Sequence, residues 1–276
     1  MSHDRHAWLD DPRIAAHYRQ RGAIDGLSWE AWVTARLGRP PVSLQLASGP
    51  ATRSFFLYES RFASVIDGVD NSEDAILAAE RSREACRAPG QFRVGDPATT
   101  PLRRGRYDLI FISHALHQVV DLESLFANAY EALTPDGLFV VDGYVGPSRF
   151  QWTEPQMAMV TLALTWLPER LRLYRWGAAK TREGRPERDA VSGPSPFEAI
   201  RSGEIVTLFR RRFETVVERR LGGSLQLLLY NGIIHNFADD DPEATAHIER
   251  AWQLEDALVD AGLLGSDFQV LIGRRR

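Results

Sequence analysis

The chain has 276 residues, of which 44% are hydrophobic and 25% charged. These are ordinary globular proportions and exclude a collagen-like, coiled-coil or wholly disordered protein. The net charge of −4 lacks the basic excess of a nucleic-acid binder, and the single Cys86 excludes an internal disulfide and any multi-cysteine metal centre while fitting a reducing cytoplasm.

The first residues have no apolar core of the kind a signal peptide needs, and no stretch reaches the ~18 uncharged apolar residues of a membrane span. Residues 1–38 are predicted helical: Trp8, Ile14, Ala15 and Tyr18 share one stripe, and Leu27, Trp29, Trp32, Val33 and Leu37 another. Gly38 and Pro40-Pro41 end this piece. So many aromatics in a short preface predict a packing cap or lid.

A first strand is predicted over Val42–Leu46, with a turn from Ala47 to Ala51 and a helix to about Ser60. A second strand over Phe62–Val69 ends at Asp70, and Asn71 or Ser72 caps a helix over Glu73–Arg87. Gln91–Val94 reads as a third strand ending at Gly95-Asp96, and Tyr107–Ser113 as an apolar fourth. His114–Leu133 has a helical pattern, Thr134-Pro-Asp-Gly137 reads as a turn, and Leu138–Asp142 as a fifth strand. Thr153-Glu-Pro-Gln156 is a capping box opening a helix to Trp166. Arg175–Ser195 is expected to be a mobile loop, and Ser195-Pro-Phe-Glu198 a second capping box before a helix to about Arg211. A sixth strand follows over Phe213–Leu221, then a buried apolar helix over Leu225–Ile234, a helix opened by Asp241-Pro-Glu, and a last strand over Phe268–Ile272.

Strands alternating with helices predict an α/β architecture: a Rossmann-like, seven-stranded, mostly parallel sheet with helices on both faces, a helical N-terminal cap and helical insertions. Four segments follow from this reading: a cap at 1–41, an α/β core at 42–142, an acceptor-binding insertion at 143–212, and a tail at 213–276 that completes the sheet. In such a sheet ligands bind beyond the carboxyl ends of the strands, where strand order reverses. The ends here are Ala47-Ser48-Gly49-Pro50-Ala51, Asp70-Asn71, Gly95-Asp96-Pro97 and Ser113-His114.

Over residues 42–142 this layout resembles the class I S-adenosylmethionine-dependent methyltransferases. The resemblance implies that Ala47, Ser48 and Gly49 lie against the cofactor's methionine and ribose, that Asp70 with Asn71 holds the ribose hydroxyls, that Asp96 with Pro97 receives the adenine amino group, and that Ser113 and His114 lie near the methyl donor. The chemistry of the residues agrees. A carboxylate only accepts hydrogen bonds and can take two hydroxyls, Gly49 admits close backbone approach, and a loop with Pro50 and no Lys suits a ligand without phosphates. The chain departs from the family pattern at Ala47 and Ala51, where glycines are usual, and at Gln45, where an acid is usual; a β-carbon at Ala51 costs about 1 kcal/mol if that position needs positive φ. The runs from Asp142 to Trp152, Leu221 to Leu225 and Leu254 to Asp256 are similar to segments of bacterial methyltransferase-domain proteins, some associated with glycans or secondary metabolites.

The predicted catalytic set is His117, Asp142, Tyr144 and Arg149. His117 is placed either as a base for an acceptor hydroxyl or as a histidine packed under a loop, and His114 either touches the cofactor or takes part in chemistry. Asp142 either orients the acceptor, holds a metal with a neighbour, or caps the next loop, with Arg149 as its alternative partner. Gln151, Trp152, Glu198 and His235 are predicted to line the acceptor site, although Glu198 also suits its capping box. Asp239–Asp241 reads as a turn and helix cap rather than a cation site, and no metal is predicted. The expected activity is methyl transfer from S-adenosylmethionine to a hydroxyl oxygen of a small molecule, a sugar or secondary metabolite, in the cytoplasm, without nucleic-acid or membrane partners; a homodimer stays open. Two alternatives are an enzyme of another class on the same fold, such as a cyclase, lyase or isomerase, and a non-catalytic binding subunit with exposed cap aromatics.

Overall fold

The computed structural model describes residues 7–187 and 198–276. In chain order the regular elements are α1 (Pro12–Gly22), α2 (Trp29–Leu37), β1 (Val42–Leu46), α3 (Thr52–Glu59), β2 (Val65–Asp70), α4 (Glu73–Cys86), β3 (Phe92–Val94), β4 (Tyr107–Ser113), α5 (Leu122–Ala132), β5 (Leu133–Tyr144), α6 (Glu154–Trp166), α7 (Ile205–Arg212), β6 (Glu214–Gly222), α8 (Gln226–Tyr230), α9 (Pro242–Asp260) and β7 (Phe268–Arg274). The seven strands form one sheet in the order β3-β2-β1-β4-β5-β7-β6. The β3-β2, β2-β1, β1-β4 and β4-β5 pairs are parallel.

The solid apolar runs of β4 and β5 are buried along their length, as strands covered on both faces must be. Phe126 of α5, Phe139 of β5, Phe209 of α7 and Phe213 form one aromatic cluster, with ring centroids 5.0 to 6.2 Å apart. Gly273 of β7 is required beside it, because a β-carbon there would come within 2.8 Å of Phe209 and 2.7 Å of Phe213.

The chain divides into two compact units. One holds residues 23–144, 200–219 and 269–276, and so carries the body of the sheet. The other holds residues 1–22, 145–199 and 220–268. In this second unit the capping box of α6 is formed by Thr153 and Gln156. The Gln156 amide also donates to Asp267 Oδ2 at 3.0 Å. Glu255 of α9 is fully buried and accepts from the Leu225 and Gln226 backbone and the Gln226 side chain.

Several sequence expectations need correction. After His114 the chain makes only a short 3-10 turn, Leu116–Gln118, and the α-helix begins after Asp121, whose side chain accepts the Ser124 N–H. Thr134–Gly137 is no turn between elements: β5 starts at Leu133, and its register to β4 shifts between Tyr107 and Leu109, so the four residues form an irregularity inside the strand. Leu225–Ile234 contains a five-residue helix, not a long one. Over its described part, 175–187, Arg175–Ser195 holds no helix or strand, as expected of a loop, but Leu173 and Ala179 form a β-bridge, and Lys180 is fully buried, donating to the Leu228 and Asn231 carbonyls and pairing with Glu183. Burial lowers the Lys180 ammonium below its usual range, which the nearby Glu183 opposes. The helix expected from Glu198 starts at Ile205 after a 3-10 turn at Ser202–Glu204, and Ser195–Phe197 of the second capping box lie outside the described residues. Of the cap aromatics, Trp8 and Trp29 are buried, whereas Tyr18 and Trp32 are partly exposed.

Candidate functional site

Strand order reverses between β1 and β4: from β1 the chain proceeds to β2 and β3 on one side, then crosses to β4 and β5 on the other. A ligand cleft belongs at the carboxyl ends flanking that reversal. The loop leaving β1 turns sharply, because Ala47, Gly49 and Ala51 all have left-handed backbone conformations, with φ of 50°, 52° and 59°. Ser48 N–H donates to the Val69 carbonyl, and Ala51 N–H to the Ser48 carbonyl. Gly49 N–H donates to Asp70 Oδ2 at 2.7 Å, while Asp70 Oδ1 accepts the Ser72 N–H at 2.8 Å. The carboxylate at the end of β2 therefore pins the loop that ends β1.

That arrangement bears directly on whether a ribose-bearing cofactor fits. Asp70 is only 9% exposed, but a carboxylate has about four acceptor positions, so two backbone N–H groups leave capacity for hydroxyls. A β-carbon added to Gly49 would meet nothing within 4 Å, so the loop faces open space there. Ala51 is fully buried. Gly95 N–H donates to the Asp70 carbonyl, tying the ends of β2 and β3 together. Asp96 is exposed; its Oδ1 accepts the Ala98 N–H at 2.8 Å, and its carbonyl accepts the Thr99 and Thr100 N–H groups, beside a buried Pro97. Asn71 is exposed, and Ser72 rather than Asn71 caps α4.

At the other side of the reversal, Ser113 pairs in register with Asp142, and His114 N–H donates to the Asp142 carbonyl at 2.7 Å. His114 is exposed and has φ of 53°. Asp142 is buried, and its Oδ2 accepts the Trp29 indole N–H at 3.3 Å. The Trp29 ring lies 5.7 Å from Phe111 and under the Arg53 guanidinium at 5.4 Å, and Arg53 pairs with the buried Glu30. His117 is 3% exposed, edge-on to the buried Tyr144 ring at 5.9 Å, and its carbonyl accepts the Ile200 N–H. The Trp29–Asp142 and Arg53–Glu30 pairs were missed in the sequence. Residues 113 positions apart leave no local spacing to read.

Arg149, Gln151, Trp152, Glu198 and His235 belong to the second unit. Arg149 and Phe150 are both left-handed, and Arg149 N–H donates to the Ala199 carbonyl, next to Glu198. The Gln151 amide donates to the Arg149 and Pro186 carbonyls, and the Trp152 carbonyl accepts from Arg185 Nε. Trp152 is buried against Phe150. His235 lies in a 3-10 turn, where partial burial and then the charge of Arg175 lower its pKa. Asp241 caps α9 and pairs with Arg170. Among the described residues no group of three metal-ligating side chains is assembled, and no helix is long and apolar enough to cross a membrane.

Residues 44–141 match the family model of a methyltransferase domain. No curated protein matches the chain. Similar solved structures include an S-adenosylmethionine dependent methyltransferase from Mesorhizobium loti, with 20% identity and a TM-score of 0.51 over 92% of this chain and 100% of that one. A geranyl diphosphate C-methyltransferase from Streptomyces coelicolor A3(2) has 13% identity and a TM-score of 0.52 over 90% and 78%. A putative sarcosine dimethylglycine methyltransferase from Galdieria sulphuraria has 14% identity and a TM-score of 0.51 over 89% and 84%. At these identities the likeness is one of fold.

Proposed function

We infer that this chain, whose residues 44–141 are a methyltransferase domain on the class I S-adenosylmethionine-dependent methyltransferase fold, binds S-adenosylmethionine and transfers its methyl group to a hydroxyl oxygen of a small molecule. The observation that carries the reading is the contact of Gly49 N–H with the Asp70 carboxylate at 2.7 Å. It sets an acceptor-only group beside an open backbone turn, the pairing a ribose diol needs.

In this reading Asp70 holds the diol, with Ala47, Ser48 and Gly49 flanking it through backbone, and Asn71 at its rim. Asp96, whose Oδ1 already accepts the Ala98 N–H, would receive the adenine amino group together with Pro97. The bound group supplies an electrophilic methyl carbon on a sulfonium centre. The chain's own work is to align an acceptor oxygen with that carbon and to keep water away. Ser113 and His114 edge the reacting end. Asp142 acts through Trp29, holding α2 at the strand ends, and the His117–Tyr144 pair braces the turn after β4. The acceptor is proposed to be a sugar or secondary metabolite; taken by themselves, Arg149, Gln151, Trp152, Glu198 and His235 offer guanidinium, amide and aromatic groups that suit such a polar ring. Oxygen is favoured as the methylated atom because imidazole next to the strand ends can take a hydroxyl proton near neutral pH.

Incubation with methyl-labelled S-adenosylmethionine and a panel of small polyols and phenols tests the reading. A product carrying a labelled methoxy group supports it. Donor binding with no transfer to any acceptor favours a repurposed enzyme, and label on nitrogen or carbon overturns the oxygen assignment.

A further inference from the structure

We propose that Arg212 and Arg275 form a phosphate-binding site on the ring of Tyr130, at the amino-terminal end of β5. The proposal goes beyond the methyl-transfer reading and does not depend on it.

Tyr130 lies in the last turn of α5, Arg212 ends α7, and Arg275 follows β7. All three belong to the compact unit that carries the body of the sheet. The Arg212 guanidinium lies over the Tyr130 ring at 4.5 Å and the Arg275 guanidinium at 4.9 Å. The ring is itself fixed. It packs 5.8 Å from the buried Phe213, and its hydroxyl donates to the Arg276 carbonyl at 3.1 Å. Arg275 Nη1 donates to the Leu133 carbonyl at 3.2 Å. Leu133 begins β5, at the other end of that strand from Asp142.

The distribution of carboxylates points to an anion. Three neighbouring arginines are exposed and each has an acid: Arg210 pairs with Glu218 at 2.6 Å, Arg274 with Glu214 at 2.7 Å, and Arg104 with Glu131 at 2.6 Å. Arg212 and Arg275 are half-buried, and among the described residues neither has an ion pair. The Arg212 Nε is buried without a hydrogen-bond partner. Glu131 is within the field of both. Its carboxyl is held below the usual range first by the Arg104 hydrogen bond, against some desolvation, and then by the charges of Arg104, Arg275 and Arg212. One carboxylate thus faces three guanidiniums, and two positive charges stay uncompensated in a chain of net charge −4. Drawing a cation partly out of water without a counterion is costly, and an aromatic face offsets part of that cost. A phosphate dianion offsets the rest. It brings two charges, and its oxygens match the guanidinium fork. The donors for it are present, since each guanidinium has five N–H groups and the one printed by the chain's own packing is that of Arg275 to Leu133.

The full chain is titrated by calorimetry with inorganic pyrophosphate and with a phosphoserine peptide, at an ionic strength fixed with chloride. Saturable binding of at least one is expected; tighter binding of the first assigns a free phosphate, and of the second a phosphorylated protein. Arg212→Gln and Arg275→Gln are each expected to weaken binding about tenfold, the loss of one charged hydrogen-bonding group. Arg211→Gln removes the same charge from an exposed neighbour and is expected to change affinity by less than about twofold, because solvent and salt screen it. Arg275→Lys keeps charge and chain length but loses the fork, and is expected to bind between the wild type and Arg275→Gln. In the wild type, the nitrogen-15 Nε–H resonance of Arg212 is expected to move with pyrophosphate, a readout that needs no altered fold. No saturable heat with either probe overturns the proposal. Unchanged affinity in both glutamine variants overturns it too and marks an adventitious ion only. A hexaglutamate peptide bound as tightly as the phosphoserine peptide overturns it in favour of a general basic field.

Discussion

Ala47 and Ala51 both adopt the left-handed backbone that glycine would adopt without penalty, and each pays for its β-carbon on the order of 1 kcal/mol. Ala47, half-buried, gives the cleaner test: Ala47→Gly is expected to raise stability in urea denaturation by about 0.5–1 kcal/mol, the relief of strain being partly offset by unfolded-chain entropy. At Gly143 the direction reverses. Gly143→Ala forces a β-carbon against the His114 backbone and is expected to lose about 2–3 kcal/mol in the same measurement. The departure of Ala51 from the family's glycine was visible in the sequence together with its consequence. The left-handed His114 was not, because its cause lies across the sheet in Asp142 and Gly143, and no pattern within β4 signals it.

Helix starts were the most legible elements, since a cap is written within four residues: Thr153 with Gln156, Ser72 and Asp241 all accept the N–H groups their spacing implies. Elements set by partners were less so. The Thr134–Gly137 stretch has turn chemistry, yet pairing with β4 draws it into a strand. Gln156 shows how a cap can also serve the interior, because its amide reaches the buried Asp267. Burial pushes that carboxyl up to about 7, Glu255 adds to the effect, and the Gln156 and Ser224 hydrogen bonds oppose it. The folded pKa is raised, so the contribution is fully present below about pH 4, where both states are protonated. It is lost as pH rises towards 7, because the unfolded chain ionises first. Asp267→Asn is expected to match the wild type in urea denaturation at pH 4 and to exceed it by a few kcal/mol at pH 8, about 1.4 kcal/mol per pH unit of difference. An equal difference at both pH values would contradict this. On α2, Trp29→Phe removes the indole donor from the buried Asp142 and is expected to cost about 1–3 kcal/mol, seen as a lower urea midpoint.

For the whole molecule, alternation of strand and helix over 42–142 sufficed to foresee the parallel sheet, and the structure returns the seven strands with β4 and β5 at the centre. The division into two units was beyond reach of local pattern, because each unit gathers three separate stretches of chain. The positions of Asp70 and Asp96 at successive strand ends were legible for the same reason the sheet was: parallel strands put their carboxyl ends on one edge. The central claim is that a ribose diol rests on Asp70 beside Gly49. Calorimetric titration of the full chain with S-adenosylhomocysteine and with its 2′-deoxy analogue tests it most directly. Saturable binding of the first and at least tenfold weaker binding of the second is predicted, since one hydroxyl to a carboxylate is worth about 1.5–3 kcal/mol; equal affinities for the two, or no binding of either, would contradict it.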